Sequence, residues 1–87
     1  MLDRNEIGFR LRKLRWAKDV SSAVVSERLG ISRSALQMYE AGKRLPKDDI
    51  KVLLAEYYGM SVEDLFFSSD LSRFETLSRS VVKKEVN

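Results

Sequence analysis

The chain contains no cysteine and no histidine. Without cysteine, neither a disulfide nor a thiolate metal site can form. Without histidine, the commonest general base and transition-metal ligand is missing as well. No apolar run approaches the roughly 18 residues of a membrane span. Asp3, Arg4, Asn5 and Glu6 interrupt any apolar segment at the start, so nothing there reads as a signal peptide, and a cytoplasmic protein is expected. No stretch reads as a strand, a repeat or low complexity. Adjacent carboxylates occur at Asp48-Asp49 and Glu63-Asp64, but neighbours on a helix point about 100° apart. They suit helix N-termini, where the dipole favours negative charge. Several serines are present, and none has a histidine to activate it. The expectation is a chain that is not an enzyme, with no catalytic residues, no metal, no cofactor and no small-molecule substrate.

What is present is a soluble composition, 44% hydrophobic and 33% charged over 87 residues. That suits one small unit with a modest core. The net charge of +3 is unevenly spread. Residues 1–47 hold 11 Lys/Arg against 5 Asp/Glu, a balance of +6, and residues 48–87 hold 5 against 8, a balance of −3. A basic half beside an acidic half is the pattern of a chain with one face turned to phosphates, although small domains often carry lopsided charge.

The stretch from Ser21 to Gly42 organises the rest. It predicts two short helices, Ser22 to Leu29 and Arg33 to Ala41. Gly30 stands between them, where a turn needs positive φ. Ser21 and Ser32 stand at the two N-cap positions. Ser26 is small where the helices would cross, and Val25, Leu29, Leu36 and Tyr39 are spaced to turn onto one core. That is a helix-turn-helix, whose second helix can enter a DNA major groove. Arg33, Ser34, Gln37 and Met38 lie on that helix away from Leu36 and Tyr39. An Arg can bridge guanine O6 and N7, a Gln can pair with adenine N6 and N7, and Met38 can lie against a thymine methyl. The bland reading of all four is ordinary exposed helix residues.

Around this unit, residues 4–18 predict a helix with Ile7, Leu11 and Leu14 as its core stripe. Phe9 and Trp16 fall about 160–180° from Ile7, outside that stripe. Asp19 and Val20 form the joint to the next helix, and Val24 is expected to be partly exposed. Gly42 suits the C′ position after the recognition helix. Pro46 suits the entrance of a helix from Lys47 to Tyr58, with Ile50, Leu53, Leu54, Tyr57 and Tyr58 as its apolar face. Gly59 closes it. Ser61 caps a short fifth helix, paired with Asp64 as a variant capping box, from which Val62, Leu65 and Phe66 close the core. In residues 68–87, Leu71, Phe74, Leu77, Val81 and Val82 fall within roughly a 140° arc, an amphipathic helix of about four turns that needs a partner surface. The tail is expected to lie across Phe9 and Trp16 through Leu71, Phe74 and Leu77, within one chain or swapped between two; the alternative is a frayed tail.

The sequence resembles the lambda-repressor-like helix-turn-helix family, also called the xenobiotic-response-element type, of bacterial and phage regulators. The matching residues run from Ile7 to Phe67. They are Ile7-Gly8, Arg10-Leu11-Arg12, Leu14-Arg15, Glu27 to Ser34, Tyr39 to Arg44, Pro46, Ala55 and Ser61 to Phe67. Their order and spacing carry the likeness. It departs at Ser22-Ala23-Val24, where the family often has Gln and then Glu, so that capping box is absent and a phosphate contact at Ser22 is shorter.

The resemblance implies an all-α fold of five helices over residues 1–67, with residues 68–87 as an added helix for packing or dimerisation. It implies sequence-specific binding of double-stranded DNA, as a repressor on a palindromic operator. The positions of Arg33, Ser34, Met38 and sometimes Gln37 would face the groove. Ser22, Ser32, Lys43, Arg44, Lys47 and Arg15 are the expected phosphate contacts, with Lys43 foremost. Arg15 and Glu40 would pair between the first helix and the end of the recognition helix. A homodimer is expected, since one such unit makes few base contacts. The alternative is a protein-interaction module on the same fold, binding an antagonist protein. No ligand-sensing domain fits within these residues.

Overall fold

The computed structural model describes residues 2–81. They form α1 (Arg4–Lys18), α2 (Ser22–Leu29), α3 (Arg33–Glu40), α4 (Asp48–Tyr58), a short π-helical turn (Glu63–Phe67) and α5 (Leu71–Ser78). No strand occurs among the described residues. The all-α architecture is the expected one, and the helix-turn-helix is α2 and α3. The π-helical turn takes the place of the expected fifth helix, its wide winding marked by the Ser68 N–H donating to the Glu63 carbonyl at 2.8 Å.

One core joins every element. Ile7, Leu11 and Leu14 enter it from α1, Val25 from α2, Leu36 and Tyr39 from α3, and Leu54, Ala55 and Tyr58 from α4. Leu65, Phe66 and Phe74 close it from the other end. Fully burying one such aliphatic or aromatic side chain contributes about 1.5–3 kcal/mol. Two expected core residues are less involved: Leu29 is half-buried and Leu53 is exposed, because the stripe of α4 runs through Lys51, Leu54, Ala55 and Tyr58 instead.

Local chemistry sets the helix ends. Asp3 accepts from the Glu6 N–H at 2.8 Å, Ser21 from Val24 at 3.2 Å, and Ser32 from Ala35 at 3.0 Å. Each satisfies one of the orphan donors of a first turn. The turn of the helix-turn-helix is a Schellman closure. Gly30 sits at φ 69°, and the Ile31 N–H reaches back to the Ser26 carbonyl at 3.0 Å. The same closure ends α1 on Asp19, at φ 58°, a conformation an aspartate tolerates better than most residues. Lys47 is the residue before α4 rather than its first, and it supplies no side-chain cap.

The tail helix is shorter than expected and docks elsewhere. It ends at Ser78 after two turns, and Val82 onward lies outside the described residues. Its anchor is Phe74, 1% exposed, whose ring lies 4.7 Å below the Arg10 guanidinium. Lys13 pairs with Glu75 at 2.7 Å, and Arg73 pairs with Asp64 at 2.9 Å. Leu77 and Val81 are half-buried against the core. Arg10 and Lys13 lie about 60–120° around α1 from Trp16, so α5 crosses that flank and leaves the aromatic pair uncovered. Phe9, Trp16 and Leu71 remain 44%, 62% and 49% exposed, which corrects the expectation of one continuous aromatic contact within the chain. The two α1 rings are instead shaded by their own helix, with Lys13 5.7 Å from Phe9 and Arg12 5.8 Å from Trp16.

Candidate nucleic-acid interface

The inner side of α3 is locked and the outer side is bare. Leu36, Tyr39 and Glu40 are buried, whereas Arg33, Ser34, Gln37 and Met38 are exposed. Ser34, Gln37, Met38, Ala41 and Lys43 line one shallow groove across that outer side. Arg33 is the first residue of α3, next to the cap Ser32.

Three contacts seat the helix. The first is a close approach. Gly8 of α1 lies against the last turn of α3, where an added Cβ would stand 2.5 Å from the Glu40 carbonyl oxygen and 2.8 Å from that of Tyr39. Only glycine lets the two backbones come this near. The second is the expected ion pair. Arg15 Nε donates to Glu40 Oε2 at 2.8 Å and Nη2 to Oε1 at 3.1 Å, while Nη1 donates to the Val20 carbonyl at 3.2 Å. The hydrogen bond to Glu40 raises the Arg15 pKa, opposed by burial. The pair is partly buried, its side chains 17% and 8% exposed. The third is the Schellman closure after α3, in which the Lys43 N–H reaches the Met38 carbonyl at 2.9 Å and aims residues 43–47 away from the helix. Ser26 of α2 is buried and donates its hydroxyl to the Ala23 carbonyl at 3.1 Å.

The expected phosphate-contact residues ring this surface. Lys43, Arg44 and Lys47 are exposed on the loop from α3 to α4. Ser22 opens α2 and is half-buried, while Ser32 is exposed and already accepts one backbone N–H. Arg15 differs from the rest, because Glu40 and Val20 hold its guanidinium.

Sequence reasoning missed two residues that shape the site. Gly8 is one; a glycine inside a helix costs roughly 0.5–1 kcal/mol against alanine, and that cost is the signal of a close backbone approach. Arg10 is the other. A cation beside the core stripe of α1 gives no sign of burial by itself, yet Arg10 is 1% exposed, donating to Glu6 at 3.1 Å and to the Asp64 carbonyl at 2.8 Å. Among the described residues, no group of three or more acidic, Cys or His side chains is gathered as a metal site, and no helix is long and apolar enough to cross a membrane.

These features are those of a helix-turn-helix protein, and residues 6–65 match the family described as "Helix-turn-helix domain". The chain belongs to that family, in keeping with the lambda-repressor-like pattern of its residues. It is similar to the HTH-type transcriptional activator BcrR of Enterococcus faecalis, 28% identical over 83 residues, covering 94% of this chain and 41% of that protein. It is 36% identical over 61 residues to YobD of Bacillus subtilis, an uncharacterized HTH-type transcriptional regulator, covering 70% of this chain and 54% of the relative. It is 26% identical over 72 residues to the cryptic phage CTXphi transcriptional repressor RstR of Vibrio cholerae, covering 83% and 65%. The chain thus spans between 41% and 65% of the length of these curated relatives. No solved structure matches it.

Proposed function

We propose that this chain binds duplex DNA sequence-specifically and regulates transcription, acting as a repressor and as a homodimer on a palindromic operator. The observation that carries the reading is the two-sided character of α3. Its inner side is seated by Leu36, Tyr39 and Glu40, while Arg33, Ser34, Gln37 and Met38 stand exposed in a row of groove-reading chemistry. In this reading Arg33 takes a guanine, Gln37 an adenine, Met38 a thymine methyl, and Ser34 either edge nearby. Lys43, Arg44, Lys47, Ser22 and Ser32 hold the backbone in register, and Arg15 joins them at the edge. The names of the relatives support a regulatory role. The repressor sense is supported by the likeness to the transcriptional repressor RstR, whereas BcrR is named an activator.

The dimer follows from the small number of base contacts one α3 offers. Two copies would place two recognition helices on half-sites about 10 bp apart, or a multiple of that. Residues 1–67 form the DNA-binding part of this reading, and residues 68–87 the packing or dimerisation part. In this reading the chain acts in the cytoplasm of a bacterial or phage-infected cell. Selection of bound duplexes from a random pool at physiological salt tests the proposal. A symmetric motif is the expected result. Enrichment of no sequence, with only salt-sensitive general binding, would overturn it.

A further inference from the structure

Arg4 opens α1, distant in sequence from the loop after α3, and the fold brings the two together. Gly42 follows α3 with φ 74° and is buried against the start of α1. A Cβ there would stand 2.5 Å from Asn5 Oδ1, 3.2 Å from the Asn5 Cα and 3.3 Å from the Arg4 carbonyl oxygen. The backbone at Arg4 is therefore fixed on this turn by close packing. Arg4 Nη1 donates to the Lys43 carbonyl at 3.4 Å. The Lys43 N–H is in turn tied to the Met38 carbonyl of α3 at 2.9 Å. Lys43 thus links Arg4 to the end of the helix proposed to read bases.

The charge of Arg4 is not neutralised within the fold. Arg10, Lys13, Arg15, Lys51 and Arg73 each pair with a carboxylate. Among the described residues Arg4 pairs with none, and the adjacent Asp3 turns its carboxylate to the Glu6 N–H instead. The Arg4 side chain is exposed, as are Lys43 and Arg44 beside it. A guanidinium carries five donors, and one long bond to a carbonyl leaves most of them for an anion. Its planar fork suits a phosphate. We propose that Arg4 is a further phosphate contact of the DNA interface, taking a backbone phosphate beside the Lys43 side chain, just past the end of α3. Such a contact carries no sequence information and fixes the register of α3 on the duplex. The inference rests on the DNA-binding reading above and extends its phosphate set to the start of α1.

The test is the salt dependence of binding to the duplex recovered by selection, measured for the full chain and for Arg4→Ala, Arg4→Gln and Arg4→Lys. Arg4→Gln keeps a donor for the Lys43 carbonyl without the charge, and Arg4→Lys keeps the charge. The slope of log affinity against log salt should become shallower by about 0.9 in Arg4→Ala and Arg4→Gln, the share of one phosphate. Their affinity should fall about two- to fivefold, uniformly across sequences. Arg4→Lys should keep the parent slope. An unchanged slope in Arg4→Ala would overturn the inference and leave the DNA reading intact. So would parental slope and affinity in Arg4→Gln, which would make Arg4 a brace for the loop alone. Failure of the parent chain to bind any duplex would overturn the DNA reading, and this inference with it.

Discussion

Helices α3 and α5 are each eight residues long, each capped by a side chain, and both pack against α1. They are held by different means. Helix α3 is seated by two buried apolar side chains, a backbone approach that only Gly8 permits, and a partly buried two-bond ion pair. The tail helix is held by one buried ring and by charge pairs at or near the surface, Lys13–Glu75 and Arg73–Asp64. Exposed pairs weaken with salt and contribute little, whereas close-packed backbone does neither. The difference teaches where precision is needed. A helix proposed to read bases must hold its orientation, and a helix that covers a core need only stay on it.

The largest effect should come from Phe74→Ala. It empties a core position and uncovers Arg10, at a cost of about 3–5 kcal/mol by urea denaturation. If the tail were a loose appendage, the loss would be a small fraction of that. Gly8→Ala should come next, and it tests the other side of the comparison. Helix propensity alone would make it stabilising by roughly 0.5–1 kcal/mol. The collision with the Glu40 and Tyr39 carbonyls should instead make it destabilising by about 1–3 kcal/mol and weaken DNA binding, because α3 must shift.

A smaller and pH-dependent effect is expected for Arg73→Ala. The Arg73 hydrogen bond holds the Asp64 carboxyl below its ordinary 3.8, against the upward push of burial and with help from Ser61. A depressed carboxylate stabilises the fold above its unfolded pKa, and that contribution is lost as pH falls through the folded value. The cost of the variant should therefore be present at neutral pH, and small, because the Arg73 side chain is exposed. It should shrink below about pH 4 when melting is followed against pH. Trp16→Ala should do least, within about 0.5 kcal/mol in the same denaturation experiment, since the ring is 62% exposed. A larger loss would mean that the tail or another part of the chain covers it after all.

The helix-turn-helix was legible in the sequence because its signals are local. Ser21, Ser32, Gly30 and Gly42 announce ends that depend only on neighbouring backbone, and all four stand where those signals point. The core stripe of α1 was legible by periodicity. The tail was less so. Periodicity marks which face of a helix is apolar, but not which flank of α1 receives it. Arg10 shows why, since its charge suggests solvent while Phe74, 64 positions on, supplies the cover. The pattern marks Tyr58 as core, but nothing in it says that its hydroxyl lacks a partner among the described residues. Those facts live in the assembled packing of distant segments.

The central claim is that the bare side of α3 reads bases, and one substitution tests it most directly. Base preference at every position of the selected site should be compared between the parent chain and Arg33→Ala. A loss of about 1–3 kcal/mol of discrimination is expected, confined to one position of each half-site. The melting temperature and the salt dependence of binding should be unchanged. An Arg33→Ala protein with the same base preferences as the parent chain would contradict it.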